Sequence, residues 1–546
     1  MATTLDFPRH SEKQIEQFRS SGYWNDDTLS TYIEKWSKET PKKTAIVAPD
    51  RELTYSEWHT SSLEFANALL SLGLKRGDVI AIQYPNTPEF LIAYIGIALM
   101  GGVMCTLHMP YRAGEMAPLM NHGNTKAIIC SQGDNKYDAP QTMEGLKERV
   151  PTLEHIIVIG EAQNGQEKFE KLIENATSSP IKDPPISSDP CILCFTSGTS
   201  ASPKGVVRTY ETLTANARIY SPTIELTADD RVMVAPPFTH VFGLTCATLA
   251  LCWGSTNVLM PLFTPELYTD RLINAKPSIL FSAPAHVAAS IKAGLLDDVD
   301  LSSLKEVVIA GSVCPPEVAA DLERRMPNGR SGQLFGMTET ILIMQTPLNE
   351  RPEIRHSSTG RKTKGIDIRI TNPLDDTEVA TGEEGELLLH GYTIMAGYLN
   401  NEDANKAAFT SDGYFRSGDL ATCDADGNVI ITGRVKDVIN RGGIKINPTD
   451  IENVLQAHPC IILAALVPMH DDILGERICV FITLAPKASI TFEEITSYLG
   501  QNGIAKMRWP ERLEIIDEMP MTPTRKIQKG ELIKLLQVKY RHMAQP

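Results

Sequence analysis

Apolar residues recur every three or four positions in stretches such as "TYSEWHTSSLEFANALLSLG" and "PEFLIAYIGIALMGG", and each stretch is followed by a short apolar run, "DVIAIQY" and "VMCTL". The first spacing puts apolar side chains on the core face of a helix, and the second fits a strand buried on both faces. The same alternation returns in "PSILFSAPAHVAASIKAG" and "LKEVVIAG". Strand and helix alternating in this way predict parallel sheets with helices on their faces. From about Ile368 the texture changes to short strands and turns, "IDIRITNP", "GEEGELLLHG" and "DGYFRSGDLATCDADGNVIITGR", which predict an antiparallel, barrel-like portion. After Arg434 comes a small α+β unit, with "INPTDIENVLQAHP" as a helix and "ICVFITLAP" as a strand, so Val435–Val438 is the expected domain boundary.

One apolar stretch admits two readings. Val241 to Phe263 carries no charge over a length that would cross a bilayer. "WGSTN" interrupts it, which favours a short helix followed by a strand in an α/β core.

Length and charge narrow the picture. A chain of 546 residues exceeds one compact domain. Charged residues make up 22% and the net charge is -15, the profile of a soluble, mildly acidic protein rather than one that holds nucleic acid or an anionic membrane. The ten cysteines lack the dense spacing of a secreted disulfide scaffold, so a reducing, cytoplasmic setting is expected. Cys191 and Cys194 form a CxxC that reads as a redox pair or as part of a buried strand, the latter favoured by the flanking Pro190 and glycine loop. The first residues have no apolar core after positive charge, so no signal peptide is expected.

"FTSGTSASPKGVV" crowds hydroxyls and backbone donors at Thr196, Ser197, Gly198, Thr199, Ser200 and Ser202, ahead of Lys204. Successive N–H groups near glycine can make an anion nest, although a flexible surface loop has the same composition. The Walker A order is absent, because "SPKG" puts the lysine before the glycine.

That loop is followed in order by "PPFTHVFGL", "GQLFGMTET", "GEEGELLLHGYTIMAGYLNN", "YFRSGDL", "GRVKDVINRGGIKINPTDIE" and "PMTPTRKIQKGEL". Together they closely resemble the core motifs of the ANL adenylating superfamily, which contains acyl- and aryl-CoA synthetases, adenylation domains and beetle luciferases. The resemblance covers nearly the whole chain and implies a large region, residues 1–434, a hinge at 435–438 and a mobile α+β domain over 439–546. It also implies that ATP and a carboxylic acid form an acyl-adenylate and pyrophosphate, with Mg²⁺ as cofactor, after which coenzyme A captures the acyl group.

Residue by residue, the resemblance assigns Thr196, Ser197, Gly198, Thr199 and Lys204 to the β- and γ-phosphates. Phe335, Gly311 and Ser312 are assigned to the adenine pocket, Gly336 and Met337 to ATP binding more generally, Thr338 to the α-phosphate, and Glu339 to Mg²⁺. Asp419 takes the ribose hydroxyls with Arg434 beside it, and Lys526 bridges the carboxylate and α-phosphate. His240 is read as positioning the acid's carboxylate, which is already ionised at neutral pH and needs no general base. Lys436 is the expected hinge residue, and Gly442, Gly443 and Lys445 line the expected coenzyme A tunnel, with a plain turn the alternative for the glycines. The chain departs from the family at Ala201 and Arg525, where glycine is usual, and at Ser200, where threonine is common; Lys529 is the second choice for the role of Lys526.

Val241, Phe242, Gly311, Leu334 and Met337 are expected around the acid, and Leu334 stands where many phenylpropanoid-activating relatives have glycine. A compact apolar acid is therefore expected: benzoate-like, alicyclic, or short to medium aliphatic. The alternatives are an adenylation enzyme that loads a carrier protein and a nucleotide-binding relative without catalysis. No nucleic-acid partner and no integral membrane association are expected, with a monomer or a homodimer as the working form.

Overall fold

The structure is a computed structural model that describes residues 5–133, 137–196, 203–522 and 526–539. Two compact units are present: Met1–Asp367 with Leu389–Phe415, and Ile368–Leu388 with Arg416–Pro546.

The first unit holds two large sheets. In the seven-stranded one, Val79–Gln83 lies between Thr125–Ser131 and Val103–Thr106, all parallel, and Pro190–Thr196 continues the sheet to an antiparallel edge strand, Lys204–Thr209. In the nine-stranded one, Arg231–Val234, Ile279–Ser282, Glu306–Ile309 and Arg330–Met337 run parallel, and Ile341–Gln345 folds back antiparallel. Every residue of Val79–Gln83 and of Val103–Thr106 is buried, which is why these runs read as apolar up to their last residues, Gln83 and Thr106. The helix Pro88–Leu99 is apolar nearly all round and is buried on nearly every residue, as a helix packed on several sides must be.

The charge-free stretch is an interior helix, Val241–Trp253, followed by the strand Thr256–Leu259. Gly254 ends the helix in the left-handed region, with φ 70°. Among the described residues no helix is long and apolar enough to cross a membrane. Cys191 and Cys194 are both buried, unbridged thiols on the strand Pro190–Thr196.

Most of the antiparallel portion belongs to the second unit. Its strands form a four-stranded sheet in the order Ile366–Thr371, Gly385–Gly391, Phe415–Cys423, Val429–Arg434. A five-stranded sheet follows, in which Gly475–Leu484 pairs with the edge strand Ile461–Asp471 and with Arg512–Ile515, and the helices Pro448–Gln456, Phe492–Gln501 and Lys529–Lys539 belong to the same stretch of chain. Ile439, Ile451, Leu455, Leu466 and Val480 make one apolar layer there, and Val467, Cys479, Leu532 and Leu536 make another.

Candidate functional site

In the first unit the strands Arg330–Met337 and Ile341–Gln345 meet in a tight hairpin whose turn carries Thr338 and Glu339. The pairing shifts register between Phe335 and Gly336, and Ile341 has φ 60°, a costly value for a β-branched residue. A side chain on Gly336 would come within 2.1 Å of the Ile341 carbonyl oxygen, so the glycine of "FGMTE" is required by this bulge. Glu339 is neither solvated nor at a helix start. It is 7% exposed, its Oε1 accepts a hydrogen bond of 2.8 Å from the Tyr398 hydroxyl, and its carbonyl accepts one of 2.8 Å from the Met395 N–H.

Behind the turn lies Arg208, on the strand Lys204–Thr209 and almost without exposure. Its guanidinium donates to the carbonyls of Thr393, at 2.5 Å, and of Thr338. Burial pulls its pKa down to about 10, and the Glu339 carboxylate acts against that fall. Thr196 and Lys204 are cross-strand partners at the end of their hairpin, and the Lys204 ammonium stands 5.1 Å from the centre of the Tyr398 ring. Ser197, Gly198, Thr199, Ser200, Ala201 and Ser202 lie outside the described residues.

His240 caps the helix Val241–Trp253, its Nδ1 accepting the Phe242 N–H at 3.2 Å. A neutral ring in that arrangement carries its proton on Nε2. Gly243 lets this first turn press on the preceding prolines, since a side chain there would come within 2.4 Å of the Pro237 carbonyl oxygen. The ring of His108 stacks on His240 with centroids 6.1 Å apart, and its Nδ1 is 3.2 Å from the Thr239 hydroxyl. Burial pushes the His108 imidazole down to about 4, so it is uncharged at neutral pH. Gln83 donates to the carbonyls of His108 and Tyr111 and holds that segment in place.

Val241, Phe242 and Leu334 are all buried in one apolar cluster, and the helix Val241–Trp253 packs on both strands of the Glu339 hairpin. Phe335 and Met337 are half-buried, whereas Gly311 and Ser312 are exposed. Gly311 has φ 96°, with open space where a side chain would stand.

In the second unit Asp419 and Arg434 are register partners on adjacent strands, with Nε of Arg434 2.9 Å from Oδ1 of Asp419. Asp419 is 9% exposed, and its N–H is held by the Ser417 hydroxyl. Lys436 is exposed on the short turn Val435–Asp437, and Lys445 is exposed on Ile444–Ile446. Gly442 and Gly443, with φ 60° and 90°, form the two-residue turn joining Ile439–Arg441 to Ile444–Ile446. Positive φ at both positions is the demand of a type I′ hairpin turn, so the turn alone accounts for both glycines.

Lys526 is exposed, and its N–H donates to the Thr522 hydroxyl while Thr522 N–H returns a bond to its carbonyl. Arg525 lies outside the described residues. Lys529 is placed quite differently: its ammonium is 2.8 Å from Oε1 of Glu452, and burial pushes that carboxyl above the usual carboxylate range.

The structure adds Tyr398, Arg208, His108 and Glu452 to the residues that the motifs point to. Tyr398 stands inside the quoted "IMAGYLNN", but no spacing rule links it to a carboxylate 59 positions away. Arg208, a lone cation in the apolar run "GVVRT", was the one legible signal.

Among the described residues no group of three His, Cys, Asp or Glu side chains is placed to hold a metal ion. A single buried carboxylate such as Glu339 suits a hard cation whose remaining oxygens arrive with a polyphosphate.

The chain matches the family described as AMP-binding enzyme over residues 33–399 and the AMP-binding enzyme C-terminal domain over 450–526. The salicyl-AMP ligase / salicyl-S-ArCP synthetase of Mycobacterium tuberculosis is 32% identical over 527 residues, covering 95% of this chain and 92% of its own. The medium-chain fatty-acid–CoA ligase of Escherichia coli is 28% identical, covering 98% and 94%. Among solved structures, the anthranilate CoA ligase AuaEII in complex with anthranoyl-AMP superposes with a TM-score of 0.85 at 23% identity, covering 94% of this chain and 98% of that one, a likeness of fold.

Proposed function

The chain belongs to the AMP-binding, adenylate-forming ligases of the ANL superfamily, and from that premise we propose that it joins a compact apolar carboxylic acid to coenzyme A through an acyl-adenylate. The observation that carries the acid class is the wall beside His240: Val241, Phe242 and Leu334 are apolar and buried, and the nearest second imidazole, His108, is uncharged at neutral pH. Such a wall favours an apolar body and offers no charge to a second carboxylate.

In this reading the ionised acid attacks the α-phosphorus and pyrophosphate leaves. Nε2 of His240 orients the carboxylate, since Nδ1 is occupied by the Phe242 N–H. Thr338 meets the α-phosphate, while Thr196, Lys204 and the loop 197–202 take the leaving phosphates. Asp419 accepts the ribose hydroxyls, with Arg434 fixing its orientation, and Lys526 offsets the charge that develops between carboxylate and phosphate. Glu339 would hold Mg²⁺, which when bound neutralises the polyphosphate. For the second step we infer that residues 439–546 pivot about Lys436, so that Gly442, Gly443 and Lys445 take over from Lys526 and admit the thiol.

A second reading, acyl transfer to a carrier protein, is supported by the 32% identical relative, whose name includes that activity. A panel of benzoate, cyclohexanecarboxylate and short to medium aliphatic acids decides between them. Coenzyme A-dependent AMP formation with a monocarboxylic acid is expected. Pyrophosphate release that coenzyme A never converts to a thioester would favour the carrier protein, and no pyrophosphate with any acid would overturn both.

A further inference from the structure

Tyr398 meets two of the groups assigned to the nucleotide's phosphates and metal, and no feature of the sequence assigns it a part. Its hydroxyl donates to Oε1 of Glu339 at 2.8 Å, and its ring lies under the Lys204 ammonium. A buried tyrosine hydroxyl needs an acceptor, and a backbone carbonyl would serve. Here the acceptor is a buried carboxylate, so the bond is charge-assisted and directional. Among the described residues Oε2 of Glu339 accepts no hydrogen bond, which leaves one oxygen of the carboxylate for a ligand.

The tyrosine is itself clamped. Its backbone bridges antiparallel to Val206, and the next residue, Leu399, donates to the Gly205 carbonyl at 2.8 Å. Asn405 completes the clamp by accepting the Tyr398 N–H at 2.6 Å and donating to its carbonyl at 3.0 Å. Gly205 permits the close approach, since a side chain there would come within 3.1 Å of Leu193 and Phe195. Tyr398 is thus fixed to the strand that begins at Lys204, and the same strand carries Arg208 to the Thr338 carbonyl. One rigid edge therefore positions the lysine, the threonine and the carboxylate together.

We propose that Tyr398 is a positioning residue for the metal-bearing carboxylate: by occupying Oε1 it presents Oε2 of Glu339 to the divalent cation, and its ring seats Lys204 for the same phosphates. The proposal rests on the assignment of Glu339 to Mg²⁺. Residues that orient a metal ligand typically change metal affinity or activity by about 10- to 100-fold when removed.

The test is calorimetric binding of α,β-methylene-ATP at stepped magnesium concentrations, which needs no acid. Tyr398→Phe keeps the ring and removes the hydroxyl. It is expected to raise the magnesium needed for half-maximal nucleotide affinity by about 10-fold, with the affinity regained at higher magnesium. Tyr398→Leu should in addition lower the affinity that remains at saturating magnesium, because Lys204 loses its seat. Circular dichroism and melting of each variant check that the fold is kept. Parental magnesium dependence in Tyr398→Phe would overturn the proposal, and so would a loss of affinity that magnesium does not relieve. If Glu339→Gln also keeps the parental dependence, the assignment of Glu339 fails; if Glu339→Gln loses it and Tyr398→Phe does not, only the positioning of Tyr398 falls.

Discussion

Leu334→Ala should lengthen the acid that the enzyme prefers. Leu334 is 5% exposed on the strand Arg330–Met337, against the helix that begins at His240, in the cluster that holds Val241 and Phe242. The substitution deletes about three carbons from that wall. At ~0.8 kcal/mol per buried CH₂ an acid extended to fill the space gains about 2.4 kcal/mol, roughly 60-fold in relative kcat/KM. The empty cavity costs the unliganded protein about 2–5 kcal/mol, so its melting temperature should fall and be partly restored by the longer acid. The assay is kcat/KM for pairs of acids differing by one to three methylenes, by pyrophosphate release, on parent and variant. A folded variant whose ratios match the parent's would refute Leu334 as the end of the acid site, because the missing volume would then lie where no substrate reaches.

Glu339→Gln should slow pyrophosphate release by about 10²-fold or more, the scale set by losing one transition-state electrostatic partner, and near-parental release would remove Glu339 from the metal. Lys526→Ala should abolish adenylation yet spare thiol capture of a supplied acyl-adenylate, since its contact belongs to the first step; single-turnover assays that find equal losses in both steps would reduce it to a structural cation. Lys529→Met should destabilise the second unit by ~3 kcal/mol by leaving Glu452 without its buried partner. Burial already raises the folded-state pKa of Glu452 and Lys529 opposes the rise, so the variant raises it further. Protonation of a group with a raised folded pKa stabilises below its ordinary value, and that contribution is lost as pH rises through the folded value. The melting deficit of Lys529→Met should therefore be widest at mildly alkaline pH and narrow on acidification, and a deficit that is flat with pH would mean Glu452 is not the partner that matters.

The parallel core was legible because burial on both faces leaves a strand almost wholly apolar, as in Val79–Gln83, where only the last residue is polar. The charge-free stretch from Val241 was legible as two elements because Gly254 can take the left-handed φ that ends a helix. The environment of Glu339 was not legible in the same way. A hairpin turn places the carboxylate, while its hydroxyl donor arrives from Tyr398 by a separate path through the strand Lys204–Thr209, and no local periodicity records that meeting. The pair Gly442–Gly443 fits two readings at once. The sequence shows two residues without side chains and invites a ligand, yet a two-residue turn with positive φ at both positions asks for the same pair, so the glycines by themselves carry no weight for a thiol channel.

The lysines of "TRKIQK" show what burial adds to a motif. Lys526 and Lys529 are equal in charge and only three positions apart, and a phosphate could in principle choose either. Lys529 opens the helix Lys529–Lys539 and turns its ammonium inward to Glu452, with Asp437 at 3.9 Å. Drawing it out to a nucleotide would strand a carboxylate that is 9% exposed, at a cost of about 3–5 kcal/mol unless Glu452 takes up a proton. Lys526 stands before that helix and is exposed, its backbone tied to Thr522 by the bonds described above. The fold takes up the charge of Lys529 at Glu452, so the proposed part of Lys526, to answer a charge that exists for the duration of one chemical step, rests on its exposure as well as on the motif.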